Sequence, residues 1–173
     1  INLFFIIFFL LSSKAYSLIE IDITRGNLDP LPIAVSPLFQ DDNSKKNSFN
    51  ELKIENVGSE ISLVVENNLK ISGLFNPLSK EAFLQKPDIA HLKPRFEDWA
   101  LIKAQALITG KVTIEDKKLK VEFRLWDILA GREMMALAFT TVPSNWRRVG
   151  HIISDKVYER LTGEKGYFDT RII

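Results

Sequence analysis

The chain has 173 residues, carries 23 Lys and Arg against 22 Asp and Glu, and contains no cysteine. A net charge of +1 gives no electrostatic reason to expect nucleic acid or an anionic membrane surface as a partner. The lack of cysteine excludes disulfides, cysteine nucleophiles, cysteine-based zinc sites and a lipid-anchored cysteine. An apolar core must therefore hold the fold together.

Residues 1–17 have the pattern of a signal peptide. An unbroken apolar run covers residues 3–11, and Ala15-Tyr16-Ser17 fits the small-x-small rule for cleavage. A membrane-spanning helix needs about 20 apolar residues, so this run is too short for one. We predict export and cleavage after Ser17, which leaves a mature domain over 18–165. The alternative is a buried N-terminal strand.

The first half of the mature chain shows short strand patterns around one helix pattern. Ile19, Ile21 and Ile23 alternate with polar residues, which predicts a half-buried strand. Residues 33–35 predict a second strand, and residues 74–75 a third. Helical spacing over 54–69 predicts a helix that ends before a Ser-Gly pair. A shorter helix is predicted over 94–102, with Pro94 in its first turn.

The second half predicts a three-stranded antiparallel meander followed by a helix. Apolar residues alternate with polar or small residues over 106–114, 119–125 and 135–139. Helical spacing over 146–161 follows, with Ser144 as candidate N-cap and Gly163 as candidate helix terminator. This helix should cover the apolar face of the meander. Residues 167–173 alternate again and predict a strand-like tail. The order of elements predicts an α/β sandwich around a mixed sheet.

Catalytic and metal-binding patterns are weak in this sequence. His151 precedes Asp155 by four residues and could pair with it along the last helix, but no nucleophile elbow surrounds any serine. His91 has no second ligand nearby, so we expect no metal site. The tryptophans lie in or beside apolar periodic segments and are predicted to pack in the core: Trp99, Trp126 and Trp146. We therefore predict neither an enzyme nor a cofactor-binding protein.

Several motifs resemble, in order, the N-terminal domain of the TolB family. They are Gly73-Leu74-Phe75, Phe96-Glu97-Asp98-Trp99, Ala104-Gln105-Ala106-Leu107-Ile108-Thr109-Gly110, Phe123-Arg124-Leu125-Trp126-Asp127, Trp146-Arg147-Arg148, His151-Ile152-Ile153-Ser154-Asp155 and the run from Tyr158 to Arg171. The resemblance implies a three-layer α/β sandwich on a mixed, about five-stranded sheet. It also implies a periplasmic, non-enzymatic adaptor of the Tol-Pal system, which supports outer-membrane integrity, cell division and protein import.

The resemblance implies that the start of the mature chain binds the inner-membrane protein TolA. An alternating segment at a free chain end can add as a strand to another protein's sheet; it can equally be the first strand of its own sheet. The matching stretch, called the TolB box in the family, is Leu18, Ile19, Glu20, Ile21, Asp22, Ile23, Thr24, Arg25, Gly26, Asn27, Leu28 and Asp29.

The resemblance also implies that the other end of the chain leads into a six-bladed β-propeller that this sequence does not contain. Residues 166–173 would form the start of the linker to that propeller. Pal, the outer-membrane-associated partner, would be bound mainly by the propeller. The predicted interdomain contacts are Gly166, Tyr167, Phe168, Asp169, Thr170 and Arg171. Two other hypotheses stay open at this stage: a domain of a secreted hydrolase whose active site lies elsewhere, and a chaperone-like binding module.

Overall fold

The computed structural model describes residues 19–22, 29–40, 54–115 and 117–170. The strands are β1 (Leu31–Val35), β2 (Phe39–Gln40), β3 (Phe75–Pro77), β4 (Ala106–Glu115), β5 (Lys118–Asp127) and β6 (Arg132–Thr141). The helices are α1 (Val57–Ile71), α2 (Pro87–Ala90), α3 (Phe96–Leu101) and α4 (Trp146–Thr162), with 3₁₀ turns at Lys80–Ala82 and Pro143–Asn145. None of the helices in these ranges is long and apolar enough to cross a membrane.

The six strands form one mixed sheet in the order β3-β1-β4-β5-β6, with β2 pairing to β4. β1 runs parallel to β3 and β4, whereas β4, β5 and β6 form the predicted antiparallel meander. The predicted mixed α/β fold is therefore confirmed. The sheet has six strands rather than about five because Phe39–Gln40 adds a strand of two residues, which is too short to show a period in the sequence.

Helices cover both faces of the sheet. The main core lies between the sheet and the helices α1 and α4, and Ile33, Ile108 and Phe123 point into it. The opposite face carries a smaller core beneath the short helices, where Ala34 and Leu107 meet Trp99 and Trp126. Successive strand residues face opposite sides, which explains how one strand contributes to both cores. The core positions predicted for all three tryptophans are confirmed.

The helix ends differ in detail from the predicted ones. α1 begins only at Val57, because the Asn56 side chain accepts the Ser59 N–H at 2.9 Å and so caps the helix there. Ser144 is not the cap of α4, since it lies inside the preceding 3₁₀ turn and Asn145 occupies the cap position. Pro94 precedes the cap of α3 instead of entering its first turn. The terminating role of Gly163 is confirmed by its left-handed φ of 75°.

The strands predicted around residues 19–23 and over residues 167–173 are not strands in the described residues. Residues 19–22 join no ladder of the sheet, and residues 167–170 form bends and loop. The remaining residues of both predicted strands lie outside the described ranges. In each case hydrogen bonds and side-chain contacts with the rest of the domain hold the segment, in place of pairing with a neighbouring strand.

Candidate functional site

Residues 19–22 of the predicted TolB box lie against the C-terminal end of α4. The backbone N–H of Ile21 donates to the carbonyl oxygen of Leu161 at 2.7 Å. The Ile21 side chain is 9% exposed and belongs to the main core, whereas Glu20 and Asp22 are exposed. Alternation of apolar and polar residues therefore does place one apolar side chain inside, but against a helix end instead of in a sheet.

A second contact joins this segment to the end of β5. The N–H of Ile19 donates to Oδ2 of Asp127 at 3.4 Å, and the partly buried Ile19 side chain packs on the main core. Asp127 is fully buried, and its Oδ1 accepts the N–H of Ala130 at 2.8 Å. The Asp127 carboxylate thus links the loop after β5 to the segment of residues 19–22. Sequence reasoning missed this role of Asp127.

The remaining members of the predicted partner-binding segment divide into two groups. Asp29 is exposed and lies two residues before β1. The others lie outside the described residues: Leu18, Ile23, Thr24, Arg25, Gly26, Asn27 and Leu28. The structure thus describes five of the twelve predicted residues, and the binding role of all twelve stays a prediction.

The predicted interdomain tail folds back along α4. Asp155 accepts the N–H groups of Phe168 and Asp169 at 2.7 and 3.1 Å. Gly166 lies so close to this residue that an added Cβ would come 2.6 Å from the Asp155 Cβ. The predicted His151–Asp155 pair is therefore wrong. The Asp155 carboxylate accepts the two tail amides, and His151 lies beside Asn68 instead.

An ion pair and an aromatic cluster complete the docking of the tail. Asp169 accepts hydrogen bonds from Nε and Nη2 of Arg148 at 3.1 to 3.2 Å, and this partner raises the pKa of Arg148 by hydrogen bonding and by its charge. The ring of Tyr158 meets those of Tyr167 and Phe168 edge-on at 5.5 and 5.9 Å. Burial raises the pKa of Tyr158, and the nearby charges of Tyr167 and Glu164 add to the effect.

The tail arrangement agrees with a linker that is fixed at its start, but it does not show a second domain. Of the six residues predicted for this role, Gly166, Tyr167, Phe168, Asp169 and Thr170 are described, and Arg171 is not. Tyr167 is 50% exposed although its neighbour Phe168 is partly buried against the core. The interdomain role therefore stays a prediction.

The histidine and serine of α4 have structural partners. Ser154 is fully buried and donates to the carbonyl oxygen of Gly150 at 2.8 Å, so it must accept the hydrogen bond from Asn68 Nδ2 at 2.9 Å. The same amide nitrogen lies 2.9 Å from Nδ1 of His151. These groups join α1 to α4 and do not form a nucleophile–base–acid array. Within the described ranges, no three His, Asp or Glu side chains are grouped to hold a metal ion.

A shallow groove of about 410 Å³ lies on the side of the sheet opposite α4. Its lining includes His91 and Leu92 on one side and Ala136 and Ala138 of β6 on the other. The small residues that alternate along β6 leave this space open. His91 stacks on Phe39 at 4.6 Å between ring centroids, which gives it a packing role. The groove lining mixes both signs of charge and defines no ligand class.

Comparison with known proteins gives a consistent family. A model of the TolB amino-terminal domain matches residues 19–134. The Tol-Pal system protein TolB of Pelagibacter ubique (strain HTCC1062) is 76% identical over 169 residues, which is 98% of this chain and 38% of that protein. The chain thus spans about two-fifths of the length of this relative.

A solved structure agrees with the fold. The crystal structure of TolB from Acinetobacter baumannii superposes with a TM-score of 0.64 at 22% identity, covering 82% of this chain and 30% of that one. The predicted family and the predicted α/β fold are both confirmed. The chain belongs to the TolB amino-terminal domain family.

Proposed function

We propose that this chain is the N-terminal part of a periplasmic, non-enzymatic adaptor of the Tol-Pal system. In this proposal the segment of residues 18–29 has two states. It docks on its own domain through Ile19 and Ile21, or it is released and binds TolA by adding a strand to the partner's sheet. The family assignment and the position of residues 19–22 support the proposal.

The observation that carries the proposal is the docking of Ile21. This side chain is buried and its N–H is bonded to a helix end, yet its neighbours Glu20 and Asp22 are exposed and join no strand. A segment that formed a central strand would have to break a whole ladder to leave. A segment held at a few points can leave without unfolding the sheet.

The energetics favour such an exchange. Burying the Ile21 side chain contributes about 1.5–3 kcal/mol. The Ile21 N–H bond to a backbone carbonyl adds about 0.5–1.5 kcal/mol, and the Ile19 N–H bond to the Asp127 carboxylate adds about 1.5–3 kcal/mol. Ordering four backbone residues costs roughly 4–8 kcal/mol. These terms nearly cancel, so the docked and released states differ by little. A partner then shifts the population by its preference for one state.

The remainder of the protein would complete the adaptor. We propose that the tail from Gly166 to Arg171 leads into a propeller that binds Pal, and that Pal binding biases the choice between docked and released segments. The two partners would then link the inner and outer membranes, which would support envelope integrity, division and protein import. The anchoring of residues 168 and 169 on Asp155 supports a fixed exit point for this connection.

Capture by an immobilised TolA C-terminal domain tests the proposal. The processed chain and a chain that lacks residues 18–29 are compared, with an Asp155→Asn variant as a matched control that alters the other end of the molecule. We expect capture of the processed chain and of the control, and loss of capture on deletion. Equal capture of all three would show that the segment is not the binding element.

A further inference from the structure

The two outer strands of the sheet differ in how they are protected against pairing with another chain. At one edge, β3 has only three residues and ends in Pro77, which has no N–H to donate to a ladder. Within the described ranges, β6 is the outermost strand at the other edge. It has ten residues, and residues 134–142 carry no charge. Because short length, prolines and charges are the usual protection of an edge strand, β6 is the edge suited to pairing.

A bulge interrupts β6 near its beginning and leaves the rest of the strand regular. The register with β5 skips Met134, and Nε of Arg160 donates to the carbonyl oxygen of this residue at 3.4 Å. Bulges bend a strand and disrupt its ladder, so this end is unsuited to further pairing. The regular part of the edge is residues 135–141.

The side chains of this regular part are open on both faces of the sheet. Ala136 and Ala138 are exposed on the face opposite α4. Leu137 is 37% exposed, although it lies directly opposite Phe123 of β5, which is buried. The apolar layer of the main core therefore continues to the edge of β6, where a further strand would bury it.

We propose that β6 pairs antiparallel with β6 of a second copy of this chain, so that the two sheets become one. A two-fold axis through Leu137, perpendicular to the sheet, relates the two copies. It places Met135 opposite Phe139 of the second copy, a favourable sulfur–aromatic pair. It also places Ala136 opposite Ala138 of the second copy. The main cores of both copies then lie on the same side of the joined sheet, and the contact does not involve the segment of residues 18–29.

Two properties of β6 favour a second copy as the occupant of this edge. A pair of about seven residues makes about six to eight backbone hydrogen bonds, which lies within the usual range of about 5–15 for a protein interface. The charged residues of β6 are Arg132 and Glu133, and this register places them opposite Val142 and Thr141 of the second copy, so no like charges meet. A symmetric contact of this kind closes at two copies.

Charged substitutions at the two exposed alanines test the pairing. Like charges directly opposite each other repel across a strand pair, and opposite charges attract. Three variants of the chain that begins at residue 18 are compared with the unsubstituted chain. They carry Ala136→Lys with Ala138→Lys, Ala136→Glu with Ala138→Glu, and Ala136→Glu with Ala138→Lys. In the last variant the new carboxylate lies opposite Arg124 and the new ammonium opposite Glu122 of β5, so the mixed charges also suit the folded monomer.

Sedimentation velocity over a range of protein concentrations measures the fraction of dimer. We expect dimers of the unsubstituted chain and of the mixed-charge variant. Each like-charge variant should need about tenfold more protein to reach the same dimer fraction. An equimolar mixture of the two like-charge variants should recover dimers, since every alanine pair then becomes a Lys–Glu pair. Recovery in the mixture also shows that both variants are folded.

Three results would overturn the dimer. One is an unsubstituted chain that stays monomeric up to about 1 mM. Another is equal dimerisation of every variant, because a different surface would then be responsible. The third is loss of dimers when residues 18–29 are deleted, which would show that this segment and not a second β6 occupies the edge. Capture by TolA depends on residues 18–29 and not on β6, so the proposed function and this inference can fail separately.

Discussion

Gly150 of α4 lies directly against Val64 of α1: an added Cβ would come 2.7 Å from Val64 Cγ1. The close approach lets the two helices pack side by side on the sheet. It also brings Nδ2 of Asn68 within 2.9 Å of Oγ of Ser154. A glycine inside a helix costs about 1 kcal/mol in propensity relative to alanine. Helix packing, and not the local preference of the chain, therefore explains this residue.

We predict that Gly150→Ala destabilises the domain although alanine favours helix formation. Overpacking costs about 1–3 kcal/mol, which exceeds the gain in helix propensity. Urea unfolding measures the difference. Val64→Ala is the matched background, since it removes Cγ1, the closest atom, and leaves only the Val64 Cβ at 2.9 Å; there the same substitution should cost less. An equal cost in both backgrounds would contradict the packing explanation.

We predict that Asp155→Ala frees the tail while the domain stays folded. The carboxylate accepts two backbone N–H groups, and bonds to a charged group are worth about 1.5–3 kcal/mol each. Hydrogen exchange of the Phe168 and Asp169 amides should accelerate at least tenfold. Arg148→Ala is the control, because it removes the ion pair with Asp169 but leaves both amide bonds. Unchanged exchange in the Asp155 variant would show that the aromatic contacts and the Arg148–Asp169 ion pair hold the tail without this carboxylate.

We predict a loss of stability at alkaline pH that depends on Tyr158. Because folding raises the pKa of this phenol above its usual value of 10.0, the folded state favours the neutral form. The stabilisation is complete below about pH 10 and is lost as pH rises through the higher folded-state value. Tyr158→Phe keeps the ring but has no ionisable hydroxyl, so it should lose less stability at alkaline pH. Tyr167→Phe leaves Tyr158 buried, so it should keep most of the wild-type loss. Thermal unfolding of the wild type and both variants between pH 8 and 11 measures the difference.

We predict that Gln85→Met weakens the thin helical layer on the second face of the sheet. The buried Gln85 side chain accepts the N–H of Arg95 at 2.9 Å and the indole N–H of Trp99 at 3.0 Å. Methionine preserves the approximate volume but leaves both donors unpaired, at a cost of about 1–3 kcal/mol each. We expect a lower unfolding temperature and a shifted fluorescence of Trp99 in this variant. An unfolding temperature equal to that of the wild type would contradict the role of Gln85 as the acceptor for these two N–H groups.

The sequence predicts the elements of this fold where the period is long and regular. The meander over 106–139 and the helix over 146–161 follow directly from alternation and helical spacing. The roles of Gln85 and Asp127 could not be predicted from a local period. Ile19 lies 108 residues from Asp127, and the Gln85 partners are a backbone and an indole N–H that lie 10 and 14 residues further on. The strand prediction for residues 19–22 was wrong for a related reason: alternation shows that one side is buried, but not that a sheet buries it.

The most direct test of the two-state segment follows the body of the domain while the partner binds. The amide resonances of Ala130 and Leu161 report the docked state, because Asp127 accepts the Ala130 N–H and the Leu161 carbonyl accepts the Ile21 N–H. A chain that lacks residues 18–29 gives their positions without the segment. On titration with the TolA C-terminal domain, we predict that both resonances move toward those positions. Saturated binding with both resonances still at their docked positions would contradict the account.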